Sequence, residues 1–252
     1  MTIALMLGSA PNAVEAATWP RAAFDRIVAI NNAWRIRPDW DDLIVPWDFP
    51  DERRPASITP PRRLILQEDF VPAQNAYGGF VYAGGTMAFT TAYWMLHALR
   101  PSVIAVMGCD MHYPANGPTH FYGTGTPDPL RADITLRSLE AKSARLMIQA
   151  ARQGCAMVNL STGPSRLVFP RASLAELRHC RPAPCDEALA DAALAQEAAL
   201  DYFVPSGRYW EEAHRFDTDA IDGLDRLWLA AAAPGQRESA SPGPSPGMTA
   251  RA

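Results

Sequence analysis

The sequence predicts an α/β fold: a Rossmann-like, mostly parallel sheet with flanking helices and a C-terminal helical appendage. Three observations carry this. Short apolar runs without polar alternation, above all TIALML (residues 2–7) and SVIAVM (residues 102–107), read as strands buried on both faces, as in parallel sheets. Several end in small or turn-forming residues, namely Gly8-Ser9-Ala10, Asn31-Asn32 and Gly108-Cys109-Asp110, and helix-compatible segments alternate with them. From residue 182 onward strand patterns stop and Ala-rich helical segments follow.

Taken in order, residues 2–7 form a first strand closed by the turn Gly8-Ser9-Ala10-Pro11-Asn12, and residues 13–23 are helix-compatible up to Pro20. Residues 26–32 form a second strand ending in paired asparagines, and residues 43–45 a third. Residues 50–61 are a proline-rich exposed connection, and residues 64–66 a weak fourth strand. The aromatic, glycine-containing stretch 69–82 reads as irregular. Thr86 is a good N-cap for a helix over residues 87–99 that is apolar all round. The central strand 102–107 opens into a loop, residues 111–133, that is long for a compact α/β unit and therefore favours function. An amphipathic helix over residues 134–153 ends at Gly154, a last strand covers 155–160, and a turn at 161–165 precedes a short helix at 174–178. Residues 186–202, 207–213 and 219–232 are helical.

Composition excludes several classes. With 252 residues and 48% hydrophobic content the chain can build one large α/β domain. A formal net charge of -4 gives no footprint for nucleic acid. Lys142 is the only lysine, so any anion held by a basic side chain is held by arginine, which binds bidentately. The four cysteines, Cys109, Cys155, Cys180 and Cys185, show no ligand spacing, so a structural zinc is not expected and a reduced intracellular chain is. The N-terminus reads as a strand rather than a signal peptide, and no stretch reaches the ~20 apolar residues of a membrane helix. A cytoplasmic protein is expected, with a peripheral membrane contact and a homo-oligomer left open.

A strand–turn opening of this kind suits nucleotide binding, although the glycine pattern is not GxGxxG. Small residues at Gly8, Ser9 and Ala10 permit close ligand approach. Asn31 caps a turn or reads a base or ribose through its amide. Gly84-Gly85-Thr86 before a buried helix is a ready anion site, or simply a capped core helix. Asp110 ends the central strand, and the loop after it holds His112, Tyr113, His120 and Tyr122. Asp39-Trp40-Asp41-Asp42 has the spelling of a metal-binding acidic pair, but it precedes a strand, where aspartates cap turns.

The order of these motifs resembles family 42 bacterial sialyltransferases and their relatives, the DUF115/MptE-like proteins. GSAPN (residues 8–12) resembles their small-residue first turn, and Ala29-Ile30-Asn31-Asn32 their second strand end. Gly84 to Ala88 is similar to their helix start, and Val106 to Met111 to their strand ending in Gly-x-Asp. The resemblance spans roughly residues 3–170. It implies a single Rossmann-like domain, residues 1–180, that binds a nucleotide-sugar such as CMP-sialic acid without a metal and transfers the sugar to a glycan hydroxyl. Beyond the resemblance, the change of composition marks a helical appendage over 181–232, a lid or an oligomer contact, and a disordered Pro/Ser/Gly-rich tail at 233–252. By the same resemblance Gly8, Ser9 and Ala10 approach phosphate or sugar, and Asn31 lies beside the nucleotide. Gly85 and Thr86 meet phosphate or carboxylate, and Asp110 lies near the ribose or cytosine. Tyr113 and Tyr122 stabilise the leaving phosphate, and His120 is the general base. Ser9 stands where those enzymes have Asn, and His112 where they have Tyr. No cofactor is implied beyond the donor itself. Two other classes fit the same fold: a diphosphotransferase of the MptE type, which needs ATP and Mg²⁺, and a non-catalytic nucleotide-sugar-binding protein.

Overall fold

The structure is a computed structural model and describes residues 1–113, 116–125 and 131–233. The expected disordered tail therefore lies outside the described residues from 234 onward, as do 114–115 and 126–130 of the long loop. The fold class is as the sequence reads it. Six strands, β1 (Ile3–Leu7), β2 (Arg26–Ile30), β3 (Asp42–Ile44), β4 (Arg63–Ile65), β5 (Val103–Met107) and β6 (Ala156–Asn159), form one all-parallel sheet in the order β4-β3-β2-β1-β5-β6. The chain winds outward from β1 to β4, then returns to place β5 against the other side of β1 and β6 beyond it. The switch point thus lies between β1 and β5.

Both sheet faces are buried, which is why these strands show no polar alternation. Ala4, Met6, Val28, Ile30, Ile44, Ile104 and Val106 point to one face, under α1 (Gln67–Asn75), α3 (Met87–Trp94) and α4 (Leu139–Arg152). Ile3, Leu5, Leu7, Ile27, Ala29, Leu43, Ala105 and Val158 point to the other. That second face is covered by tight 3₁₀ segments rather than α-helices. In the segment Pro11–Thr18 the buried Ala13 and Ala16 are three residues apart, and side chains at that spacing eclipse in a 3₁₀ helix.

Stretch 69–82, expected to be irregular, is helical. α1 forms although Pro72 lies inside it, because Phe70, Ala73 and Gln74 are buried and Asp69 bonds back to the Leu66 N–H at 3.2 Å. A single turn, α2 (Phe80–Ala83), follows Gly78-Gly79, both at positive φ. Thr86 caps α3 by accepting from the Phe89 N–H at 3.2 Å. The α3 axis then widens into a π turn, Met95–Leu99, closed by Arg100 in the left-handed region. α4 begins at Leu139, capped by Ser138, instead of at Ile134, because Asp133 caps a separate 3₁₀ turn, Ile134–Leu136.

The C-terminal segment holds α5 (Glu187–Leu200), a 3₁₀ stretch Tyr209–Arg215 and α6 (Thr218–Ala231). α5 and α6 pack on α2 and α4 around Tyr82, Ile148, Ala193, Leu224 and Trp228. The charged side of α4, which the amphipathic pattern assigns to solvent, is therefore buried under them. Arg145 pairs bidentately with Glu197 through two bonds of 2.7 Å, and its third nitrogen donates to the Tyr93 hydroxyl at 2.7 Å. Trp228 Nε1 completes the Glu197 carboxylate at 2.9 Å. Lys142 reaches Asp225 at 3.0 Å, and burial raises the Asp225 carboxyl above its ordinary range despite the lysine.

The β1 and β5 ends approach closely. A Cβ on Gly8 would lie 2.3 Å from the Gly108 carbonyl oxygen, a backbone atom that has no rotamer to yield. Gly8→Ala should thus lower unfolding stability by about 3 kcal/mol, the upper range for overpacking, measured by urea denaturation. Arg145→Met, which strands the Glu197 charge, should cost about 3–5 kcal/mol. Arg145→Met combined with Glu197→Leu should recover much of that loss in the same assay.

Candidate ligand-binding site

The carboxyl edge of the sheet carries a cavity of about 1000 Å³. Its floor comes from residues just beyond β2, β3 and β4: Asn31, the turn Pro46-Trp47-Asp48, and Gln67-Glu68. One wall is α1 and the α3 start, with Phe70, Val71, Gly85, Met87 and Thr90. The roof is the C-terminal stretch 206–211, with Arg131 between roof and wall. A volume of this size suits a nucleotide-sized ligand.

Asn31 sits at φ 53, a left-handed geometry that asparagine tolerates better than most side chains. The backbone kink sends its side chain into the cavity lining, where the carbonyl oxygen is buried and unpaired. Gln67 Oε1 is in the same condition, while its amide donates to Glu68 at 2.9 Å. Both residues line the cavity, with their amide oxygens buried and without protein partners; an unsatisfied buried acceptor costs about 1–3 kcal/mol.

Opposite them is a polar knot. Asp133 accepts from Arg131 Nε at 2.9 Å, from the Tyr209 hydroxyl at 2.8 Å, and from the Thr135 N–H and hydroxyl at 2.8 and 2.6 Å. Arg131 Nη2 also donates to the Gly85 carbonyl at 3.2 Å and to the Tyr209 hydroxyl at 3.0 Å, and the Gly85 N–H donates to Thr135 at 3.1 Å. A Cβ on Gly85 would fall 2.6 Å from Thr135 Oγ1 and 2.9 Å from the Tyr209 hydroxyl, so this position is glycine because the knot closes over it. Burial favours the neutral Asp133 carboxyl, but the bonds from Thr135, Tyr209 and Arg131 outweigh it and hold Asp133 below its ordinary range. Burial and the Asp133 charge raise the Tyr209 phenol.

The sequence-predicted residues divide between this cavity and its neighbourhood. Asn31 and Gly85 line it. Thr86 is buried with its hydroxyl committed to the cap, and Gly84 packs against Phe89 and Lys142. Gly8 faces Gly108, and the Ala10 N–H donates to the Gly108 carbonyl at 3.0 Å. The small size of this first turn therefore serves the contact between β1 and β5. Asp110 is buried in a network: Asn12 donates to it at 3.1 Å and Asn159 at 2.9 Å, and Arg171 stands 3.9 Å away. Asn12 also bonds Ser161 at 2.8 Å, and Arg171 donates to the carbonyls of Ser161 and Gly163.

The loop residues do gather. His120 stacks on Tyr122 with ring centres 5.0 Å apart, and Tyr113 lies 6.4 Å from His120. The Phe121 N–H donates to the Ser9 carbonyl at 3.0 Å and pins this cluster over the first turn. Thr119 Oγ1 is 2.9 Å from His120 Nδ1, and burial lowers the His120 pKa, which keeps the imidazole neutral and able to accept a proton near pH 7. His112 is exposed. None of His112, Tyr113, His120 and Tyr122 lines the cavity.

Sequence reading missed Arg131, Tyr209, Gln67, Trp47 and Trp210. Arg131 and Tyr209 lie 78 residues apart and carry no local motif. The acidic run does not meet the cavity: Asp39 pairs with Arg37, Asp41 with Arg21, and Asp42 with Arg26 and Arg63, all before or at the amino end of β3. Among the described residues no group of three or more His, Cys, Asp or Glu side chains could hold a metal ion, and no helix is long and apolar enough to cross a membrane. No protein-family model, curated protein or solved structure matches the chain.

A carboxylate held low in the folded state adds stability above its unfolded pKa, and that stability is lost as pH falls through the folded value. The stability difference between the wild type and Asp133→Asn should therefore be constant above about pH 5 and shrink as pH drops below the ordinary carboxylate value of 3.8, read from urea midpoints.

Proposed function

We propose that the chain is a glycosyltransferase that binds a nucleotide-activated sugar in the cavity beyond β2–β4 and transfers the sugar to a hydroxyl acceptor. The observation that carries this is the placement of Asn31 and Gly85 in the lining of one cavity at the carboxyl edge of a parallel sheet. The phosphate end lies at Arg131 and the start of α3. The N–H groups of Met87 and Ala88 have no acceptor within the helix, and the helix dipole favours an anion there. The nucleoside end lies at the Asn31 and Gln67 side chains, beside Phe70 and Phe80.

Breaking a sugar–phosphate bond puts charge on the departing phosphate, and guanidinium and helix N–H donors stabilise it. The neutral His120, buttressed by Tyr122, serves as base for the acceptor hydroxyl, with the sialic-acid-like donor suggested by the motif resemblance. A second reading, a nucleotide-sugar-binding protein without turnover, is favoured by one observation: the His/Tyr cluster stands over Ser9 rather than in the cavity lining.

A thermal-shift screen of CMP, UDP, GDP and ATP, with and without Mg²⁺, tests the reading. A ligand at a hundredfold its Kd should raise Tm by roughly 5–10 °C, without Mg²⁺, and Arg131→Gln should remove most of the shift. No shift with any nucleotide sinks the proposal. Turnover of the bound sugar nucleotide that vanishes in His120→Gln supports transfer, whereas binding with no turnover moves the assignment to the second reading.

A further inference from the structure

Trp47 and Trp210 are the most exposed aromatic side chains among the described residues, 70% and 56% accessible, and both line the same cavity. An indole left in water forgoes the free energy of burial, so two of them at one cavity mark a surface shaped for something else. Neither is loose. Trp47 occupies the centre of a turn closed by the Phe49 N–H donating to the Pro46 carbonyl at 3.1 Å, with Phe49 buried as the anchor. Trp210 occupies the centre of a turn closed by the Glu211 N–H donating to the Arg208 carbonyl at 3.0 Å, with the buried Tyr209 as the anchor. Its indole stands edge-on to the Tyr209 ring at 5.4 Å. In each case a buried aromatic neighbour holds the backbone and the turn directs the tryptophan outward.

Each tryptophan is followed by a carboxylate, Asp48 and Glu211, and both carboxylates line the cavity with Glu68. Asp48 is exposed and has no ion-pair partner among the described residues. Aromatic faces alternating with carboxylates match a pyranose chain, which offers an apolar C–H face and a rim of hydroxyl donors. An apolar peptide would offer no donors to the exposed Asp48 and Glu68 carboxylates. We propose that Trp47 and Trp210, with Asp48 and Glu211, form a subsite for a neutral oligosaccharide at the cavity mouth. Its role as the acceptor subsite rests on the transferase reading above; the binding itself does not.

The test uses the full chain without nucleotide, titrated with neutral trisaccharides ending in glucose, galactose or mannose, followed by tryptophan emission and acrylamide quenching. Saturable protection from acrylamide is expected with at least one of them. Trp47→Ala and Trp210→Ala should each weaken it about tenfold, and Trp47→Phe and Trp210→Phe about threefold or less, since the ring face remains. Both side chains are exposed, so the variants should keep the wild-type Tm. No protection with any trisaccharide, unchanged affinity in both alanine variants, or binding instead to vesicles of equal phosphatidylserine and phosphatidylcholine overturns the proposal. The nucleotide thermal shift, run on the wild type beside the saccharide titration, separates the two ideas: a shift with no saccharide binding removes only the subsite, and saccharide binding without any nucleotide shift removes only the donor reading.

Discussion

The Arg145–Glu197 pair carries the C-terminal layer, and the cavity depends on that layer for its roof. Arg145 leaves α4 from the side away from the sheet, and Glu197 arrives from α5 52 residues later. Both are almost fully buried, so neither charge can be left alone; an unpaired buried ion costs several kcal/mol. Every polar position around them is used: Tyr93 and the Tyr77 carbonyl complete the guanidinium, Trp228 completes the carboxylate, and the Tyr82 hydroxyl bonds the Glu197 carbonyl. α2, α3, α4, α5 and α6 or their adjoining turns therefore meet at one pair. With α5 and α6 held there, the chain between them brings Tyr209 down onto Asp133 and sets Trp210 at the cavity edge.

A second close contact lies at the switch point. Open parallel sheets usually receive ligands where the winding reverses. Here the exits of β1 and β5 pack tightly against each other. Gly8 and Gly108 touch backbone to backbone, Gly108 takes a left-handed φ of 73° against Ala13, and the Asn12–Asp110–Asn159–Ser161 network closes the space above them. The cavity lies toward β2–β4, beyond two strands that are only three residues long. The His/Tyr cluster stands over the first turn, tied to Ser9.

Arginine does the electrostatic work throughout, as a chain with a single lysine requires. At Arg131 the fork geometry matters: Nε serves Asp133 while Nη2 serves Gly85 and Tyr209. A lysine could not hold those three acceptors in one plane. The same knot joins the α3 start, the segment before α4 and the C-terminal roof, so this side of the cavity is built from three distant parts of the chain.

The parallel sheet and the strand ends were legible in the sequence because buried strands are continuous apolar runs and their exits need Gly, Asn or Ser. Asn31 and Gly85 were legible for the same reason: each sits at an element boundary whose chemistry is local. The helix at residues 67–75 was hidden, since Pro72 argues against it and only the burial of Phe70, Ala73 and Gln74 overrides that preference. The capping role of Thr86 was legible, but those of Gly8 and Asp110 were not, because a small residue and a strand-end acid look alike whether they meet a ligand or the protein itself. Arg131, Tyr209, Trp47 and Trp210 had no sequence signal. They become a site only when buried charge pairs on α4 fold the C-terminal layer over the sheet edge. By itself the sequence determined the layers and the residues at the strand exits. Tertiary packing decided that a cavity lies beyond β2–β4, because a docked helix pair roofs that part of the sheet edge.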